Sequence, residues 1–138
     1  MEINFDLNEI VAAANQFVSV ATGHKIFIFT GDLGAGKTTF IDAVCKAWNV
    51  IDNVSSPTYA LIQEYETNDE KTIYHMDFYR VKSVEEAIDA GVEECLESGN
   101  ICMIEWPMII DSLMDDHVVR CELSITGNNQ RKLVVQLP

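Results

Sequence analysis

Lys25-Ile26-Phe27-Ile28-Phe29-Thr30-Gly31-Asp32-Leu33-Gly34-Ala35-Gly36-Lys37-Thr38-Thr39-Phe40 is the stretch on which the fold turns. From Ile26 to Phe29 no residue is polar, so an extended chain here has no face to offer to water. Strands of this kind lie inside parallel sheets that helices cover on both sides. Gly31 to Gly36 are glycine-rich and read as a loop. From Lys37 to Trp48 the apolar residues Phe40, Ile41, Val44 and Ala47 recur on one stripe of a helix.

The loop carries chemistry as well as shape. Gly31-Asp32-Leu33-Gly34-Ala35-Gly36-Lys37-Thr38 satisfies G-x-x-x-x-G-K-[ST], between the strand and the helix that this pattern requires. Glycines at 31, 34 and 36 let the backbone of Asp32, Leu33, Gly34, Ala35 and Gly36 wrap with its N–H groups inward, and the following helix adds the partial positive charge of its amino end. Lys37 then reaches the β- and γ-phosphates of a nucleotide, and the Thr38 hydroxyl takes a coordination position on Mg²⁺. A glycine-rich turn with an exposed lysine is the plain alternative, and the strand and helix flanks argue against it.

Working outward, Asp6 with Glu9 resembles a capping box, and Leu7, Ile10, Val11, Ala14, Phe17 and Val18 then recur at helical spacing until Gly23-His24. On the other side, Ser55-Ser56-Pro57-Thr58 is a loop. Tyr59 to Glu66 and Thr72 to Asp77 are strand-like, with a turn at Asn68-Asp69-Glu70. Ser83 with Glu86 repeats the capping signal, and Val84, Ala87, Ile88, Gly91, Val92, Cys95 and Leu96 share one face, which predicts one helix from about residue 83 to 97. Gly99-Asn100 stops it, and Ile101 to Glu105 is a second uniformly apolar strand, ending in a carboxylate. His117 to Thr126 and Arg131 to Leu137 alternate and are joined by Gly127-Asn128-Asn129, which predicts a terminal hairpin. The whole, residues 1–138, reads as a single α/β domain of the P-loop NTPase type: a three-layer sandwich around a mixed, mainly parallel central sheet, with a carboxyl-terminal β-hairpin.

Composition excludes several classes. Nine Lys and Arg against 22 Asp and Glu leave a net charge of −13, which repels phosphate backbones, so direct and tight nucleic-acid binding is not expected. No apolar run approaches the length of a membrane span, and Met1-Glu2-Ile3-Asn4-Phe5-Asp6 has neither the basic start nor the apolar stretch of a signal peptide, so a soluble, cytoplasmic protein is expected. Cys45, Cys95, Cys102 and Cys121 lie far apart in apolar surroundings without a Cys-x-x-Cys pair, and are read as buried thiols.

A magnesium-nucleotide site needs acids at the carboxyl ends of neighbouring strands, where the crevice of an open α/β sheet lies. Glu105 fits, and Asp77 is a second candidate because Ile73, His75 and Asp77 share one face of a strand. Asp77 can bind the metal or its water, or orient the attacking water. His75 reads more readily as a hydrogen-bonded structural group than as a catalyst. Ser56-Pro57-Thr58 is either a switch-like loop that senses the γ-phosphate or a plain turn. Trp106 either packs or stacks on a base. There is no Asn-Lys-x-Asp for guanine, and Arg80, Arg120 and Arg131 are the three arginines, too few for the lid of a small-molecule kinase. Catalysis by the chain alone should be slow, since an arginine finger accounts for a factor of roughly 10³ to 10⁵ in such sites.

The loop together with Ser55-Ser56-Pro57-Thr58-Tyr59, His75-Met76-Asp77-Phe78-Tyr79-Arg80 and Ile104-Glu105-Trp106-Pro107, in this order, closely resembles the motifs of the TsaE (YjeE) family of small bacterial ATPases. The resemblance runs from about residue 8 to 107. It implies ATP and Mg²⁺ as cofactors and a role in threonylcarbamoyl modification of adenosine in transfer RNA. Lys37, Asp77 and Glu105 would then be catalytic, and Thr38, Asp77 and Glu105 metal-linked. The nucleotide would be bound by residues 32–37 with Thr38, Thr39, Thr58 and Trp106. Implied partners are a threonylcarbamoyl transferase subunit of the TsaD/Kae1 type and a TsaB-type companion, with hydrolysis resetting the complex. Met108-Ile109-Ile110 stands where many members continue with an acid and an arginine, so no arginine is carried over there. A regulatory ATP-binding module with incidental hydrolysis and a small-molecule phosphotransferase remain as alternative functions.

Overall fold

Asp6 does begin the first helical segment. Its carboxylate accepts from the Asn8 amide at 3.3 Å, and Glu9 reaches back to the Asp6 amide at 3.4 Å. A 3-10 turn, Leu7–Glu9, leads into helix α1, Ile10–Ala21, which buries Ala13, Ala14, Phe17 and Ala21 and leaves Val11 exposed. The computed structural model describes residues 1–51 and 61–138. The expected loop Ser55 to Thr58 and the start of the strand drawn from Tyr59 lie outside them.

Strand β1, Glu2–Asp6, was not expected from the sequence. It joins β2, Ile26–Thr30; β3, Ile62–Glu66; β4, Thr72–Asp77; β5, Ile101–Glu105; β6, Val118–Gly127; and β7, Gln130–Gln136, in a seven-stranded sheet ordered β1-β7-β6-β2-β5-β4-β3, and helix α2, Lys37–Ala47, follows β2 in the chain. The parallel pairings occupy the centre: β2 lies between β5 and β6, and β4 pairs with β5. Antiparallel β3 extends one side, and β7 and β1 extend the other.

The side chains of β2 explain its central position. Phe27 and Phe29 point to one face with Met103, Val119 and Cys121, where α1 and α2 lie, and Phe17 meets Phe27 and Phe40 with ring centroids 5.6 Å apart in both pairs. Ile28 points to the other face with Met76, Cys102 and Ile104, under helices α3, Val84–Asp89, and α4, Val92–Glu97, and a 3-10 turn, Pro107–Leu113. Two apolar layers on one sheet make the three-layer sandwich that the uniformly apolar strands required.

The single helix expected over about 83 to 97 is two helices. Ser83 caps the first through the Glu86 amide at 3.2 Å, as the capping signal indicated. Gly91, however, adopts φ +99° and turns the chain, with its amide and that of Ala90 bonded back to Ile88 and Glu86 carbonyls. A glycine takes this left-handed conformation at little cost. Apolar spacing is the same on both sides of the break, so periodicity could not register it.

All four cysteines are buried, and burial pushes the thiols of Cys45 and Cys102 up to about 12 and that of Cys121 up as well. Among the described residues no helix is long and apolar enough to cross a membrane.

Candidate functional site

Register brings the chemistry to one edge of the sheet. Phe29 of β2 lies opposite Glu105 of β5, and Glu105 lies opposite Asp77 of β4, so the loop after β2 faces two strand-end acids across a crevice. The crevice is a cleft of about 350 Å³ lined by Leu33, Gly34, Gly36, Lys37, Thr38, Thr39, Asp77, Tyr79, Glu105 and Trp106.

The loop itself is built on its glycines. Gly31 has φ +147°, and a Cβ there would stand 2.3 Å from the Leu123 carbonyl oxygen of β6, so no larger residue fits. Gly36 has φ +101° at the N-cap of α2, and no side chain caps the helix. The first-turn amides of α2 have no partner within the helix and no side-chain cap, and they carry the positive end of its dipole. Arg131, on β7, donates from Nε to the Ala35 carbonyl at 2.9 Å. In a trans peptide the carbonyl and the next amide point in opposite directions, so this bond fixes the Gly36 amide on the side away from Arg131.

Lys37 is 5% exposed. Its ammonium donates to the Gly31 carbonyl and, at 3.3 Å, to that of Asp32, and sits 4.1 Å from the centre of the Trp106 ring. Burial pulls it below the usual lysine range, while the carboxylates of Glu105, Asp77 and Asp32 oppose that shift. Trp106 holds a left-handed conformation, φ 53° and ψ 61°, immediately before Pro107. Such a backbone costs about 1–3 kcal/mol in a non-glycine residue and persists where the surroundings over-determine it. Here the ring is fixed by Lys37 and by Tyr79, whose ring centroid is 4.9 Å away.

The acid wall is a hydrogen-bonded series. The Thr38 hydroxyl lies 3.0 Å from each oxygen of Glu105, which is 2% exposed. His75 is fully buried, with Nε2 2.7 Å from Glu105 Oε2 and Nδ1 3.1 Å from the Tyr65 hydroxyl, and that hydroxyl is 3.0 Å from Gln63 Oε1. Asp77 accepts the Tyr79 amide at 2.9 Å on Oδ1. Thr38, Glu105 and Asp77 offer oxygen donors of the type that Mg²⁺ takes. Among the described residues there is no cluster of three or more His, Cys, Asp and Glu that could hold a metal by protein ligands alone.

Lys37, Asp77, Glu105, Gly34, Gly36, Leu33, Thr38, Thr39 and Trp106 thus converge. Asp32 and Ala35 instead line a neighbouring cavity of about 440 Å³ between the loop, Trp106 to Met108 and the end of β6. Thr58 lies outside the described residues. Sequence reasoning missed Arg131, for which no local signal exists. It also missed the Tyr65–His75–Glu105 connection, of which only the shared face of His75 and Asp77 was visible.

A family model described as threonylcarbamoyl adenosine biosynthesis protein TsaE matches residues 5–133. The tRNA threonylcarbamoyladenosine biosynthesis protein TsaE of Rickettsia typhi is 40% identical over 119 residues, 86% of this chain and 81% of the relative. Proteins of the same name from Treponema pallidum and Bacillus subtilis are 31% identical over 80% of this chain and 81% of theirs, and 30% identical over 91% and 77%. The crystal structure of Bacillus subtilis YdiB is similar with a TM-score of 0.72 and 23% identity, covering 100% of this chain and 87% of that one, and it shares the fold.

Proposed function

Since the chain belongs to the TsaE family of tRNA threonylcarbamoyladenosine biosynthesis, we propose that it binds Mg·ATP and hydrolyses it in the cytoplasm, in support of a threonylcarbamoyl transferase complex that modifies adenosine in tRNA. The observation that carries this reading is the convergence of Lys37, Thr38, Asp77 and Glu105 on one cleft at the open amino end of α2.

In this reading Lys37 leaves the Gly31 and Asp32 carbonyls and the Trp106 ring for the β- and γ-phosphate oxygens, exchanging neutral acceptors for charged ones. The loop amides and Lys37 meet the charge that develops on the γ-phosphoryl group, and one carboxylate of the acid wall orients the attacking water. Thr38 with Glu105 and Asp77 would hold Mg²⁺, which when bound neutralises charge on the β- and γ-oxygens. No arginine lines the cleft among the described residues, so turnover by the chain alone is slow and a partner supplies the missing charge. The partners are a transferase subunit of the TsaD/Kae1 type and a TsaB-type companion. With a net charge of −13 the chain leaves tRNA to them.

Phosphate release from ATP, measured with and without these partners, tests the reading. Stimulation by the partners, and its loss by at least about 100-fold in Lys37→Ala, is expected. Equal turnover in wild type and Lys37→Ala would reject it.

A further inference from the structure

We propose that His75 is a positioning residue for Glu105: its Nε2–H fixes the carboxylate that faces the nucleotide-bound cation, and the Tyr65 hydroxyl holds the imidazole in place from the opposite side. This rests on the nucleotide reading above and assigns a role to a residue outside the cleft lining.

The direction of the hydrogen bonds follows from valence. An ionised carboxylate only accepts, so the 2.7 Å contact requires a hydrogen on His75 Nε2. At Nδ1 the Tyr65 hydroxyl has one hydrogen and, among the described residues, two acceptors within hydrogen-bond distance, Gln63 Oε1 at 3.0 Å and Nδ1 itself at 3.1 Å. If that hydrogen goes to Nδ1, the imidazole is neutral and its own hydrogen sits on Nε2. If it goes to Gln63, Nδ1 donates to the Tyr65 oxygen and Nε2 donates as well. Both arrangements point an N–H at Glu105.

Glu105 needs such an anchor. The terminal torsion of a glutamate is broad, and the other described hydrogen bonds to its carboxylate come from the Thr38 hydroxyl. In the nucleotide-bound state that hydroxyl turns to the cation, and His75 is then the described side chain that still grips Oε2. The strand pairing places His75 opposite Met103, two pairs further from the loop than Asp77 and Glu105. It therefore acts through Glu105 and does not touch the nucleotide. Groups that orient a metal ligand from behind in this way change metal affinity when removed.

Calorimetric titration of the full chain with ATP, in the presence of Mg²⁺ and in its absence, tests the role. In wild type Mg²⁺ tightens ATP binding. His75→Ala should lose about 10-fold of that magnesium-linked gain while magnesium-free affinity is retained. His75→Gln, whose side-chain N–H can reach the place of Nε2–H, should recover most of it. A purely structural role would lower both affinities together and would not be rescued. Tyr65→Phe removes one oxygen, keeps the test decidable if His75→Ala does not fold, and should show a smaller loss of the same kind. An unchanged magnesium-linked gain in His75→Ala, or in Tyr65→Phe where the former is unfolded, overturns the proposal. Absence of ATP binding in wild type overturns instead the nucleotide reading beneath it.

Discussion

The two walls of the cleft are made differently. The loop wall comes from consecutive residues, Gly31 to Thr39, and presents backbone: positive-φ glycines, open first-turn amides and one lysine parked on its own carbonyls. The acid wall is collected from β3, β4 and β5, and presents side chains whose positions depend on strand register and on a buried series from Tyr65 through His75 to Glu105. A wall of backbone tolerates little change in conformation, whereas a wall of side chains is set residue by residue. Magnesium-free nucleotide affinity should therefore track the first wall, and the magnesium-linked gain and turnover the second.

The sharpest separation is expected from Glu105→Gln. It removes a charge at 2% exposure but keeps the size, so ATP should still bind while partner-stimulated turnover falls about 100-fold. A parallel fall in magnesium-free affinity would blur the two walls into one. Gly31→Ala attacks the other wall: its methyl would meet the Leu123 carbonyl, and the variant should lose about 2–3 kcal/mol of stability, measured by urea unfolding, together with most ATP affinity. Arg131→Ala tests whether the loop is braced from outside. ATP affinity should fall about 3- to 10-fold, equally with and without Mg²⁺, from loss of one charged hydrogen bond to the Ala35 carbonyl. An effect confined to the magnesium-bound state would place Arg131 with the acids.

The smallest effect lies in the core beneath both walls. Burial holds the Cys45 and Cys102 thiols at about 12 against 9.0 for an ordinary thiol. Above pH 9 the unfolded chain loses protons that the native chain keeps, so stability falls as pH rises from about 9 to about 12. Urea unfolding at pH 8 and pH 10 should show this, and Cys45→Ala should flatten the slope.

The same contrast decides what could be read from the residues alone. The strand–loop–helix around Gly31 to Thr38 was legible because every feature of it is local: apolar strand, glycines, lysine and helical stripe lie within about two dozen residues. Glu105 and Asp77 were legible as strand ends. Their neighbour His75 was visible on the correct face, but its bond to a residue 30 positions away was not, since register sets it. Arg131 contacts a residue 96 positions away and has no motif to mark it. Strand β1 escaped because its apolar content is just Ile3 and Phe5, alternating over five residues, and its partner β7 lies at the far end of the chain. The break at Gly91 escaped for the opposite reason: the periodic pattern runs through it undisturbed while the backbone turns.

The claim on which the rest depends is that the amides of the loop and Lys37 hold a triphosphate. Calorimetric titration of Mg·ATP into the wild-type chain and into Lys37→Ala measures this most directly. A saturable single-site heat in wild type that disappears in Lys37→Ala is the predicted result; the same heat in both proteins, or none in wild type, contradicts it.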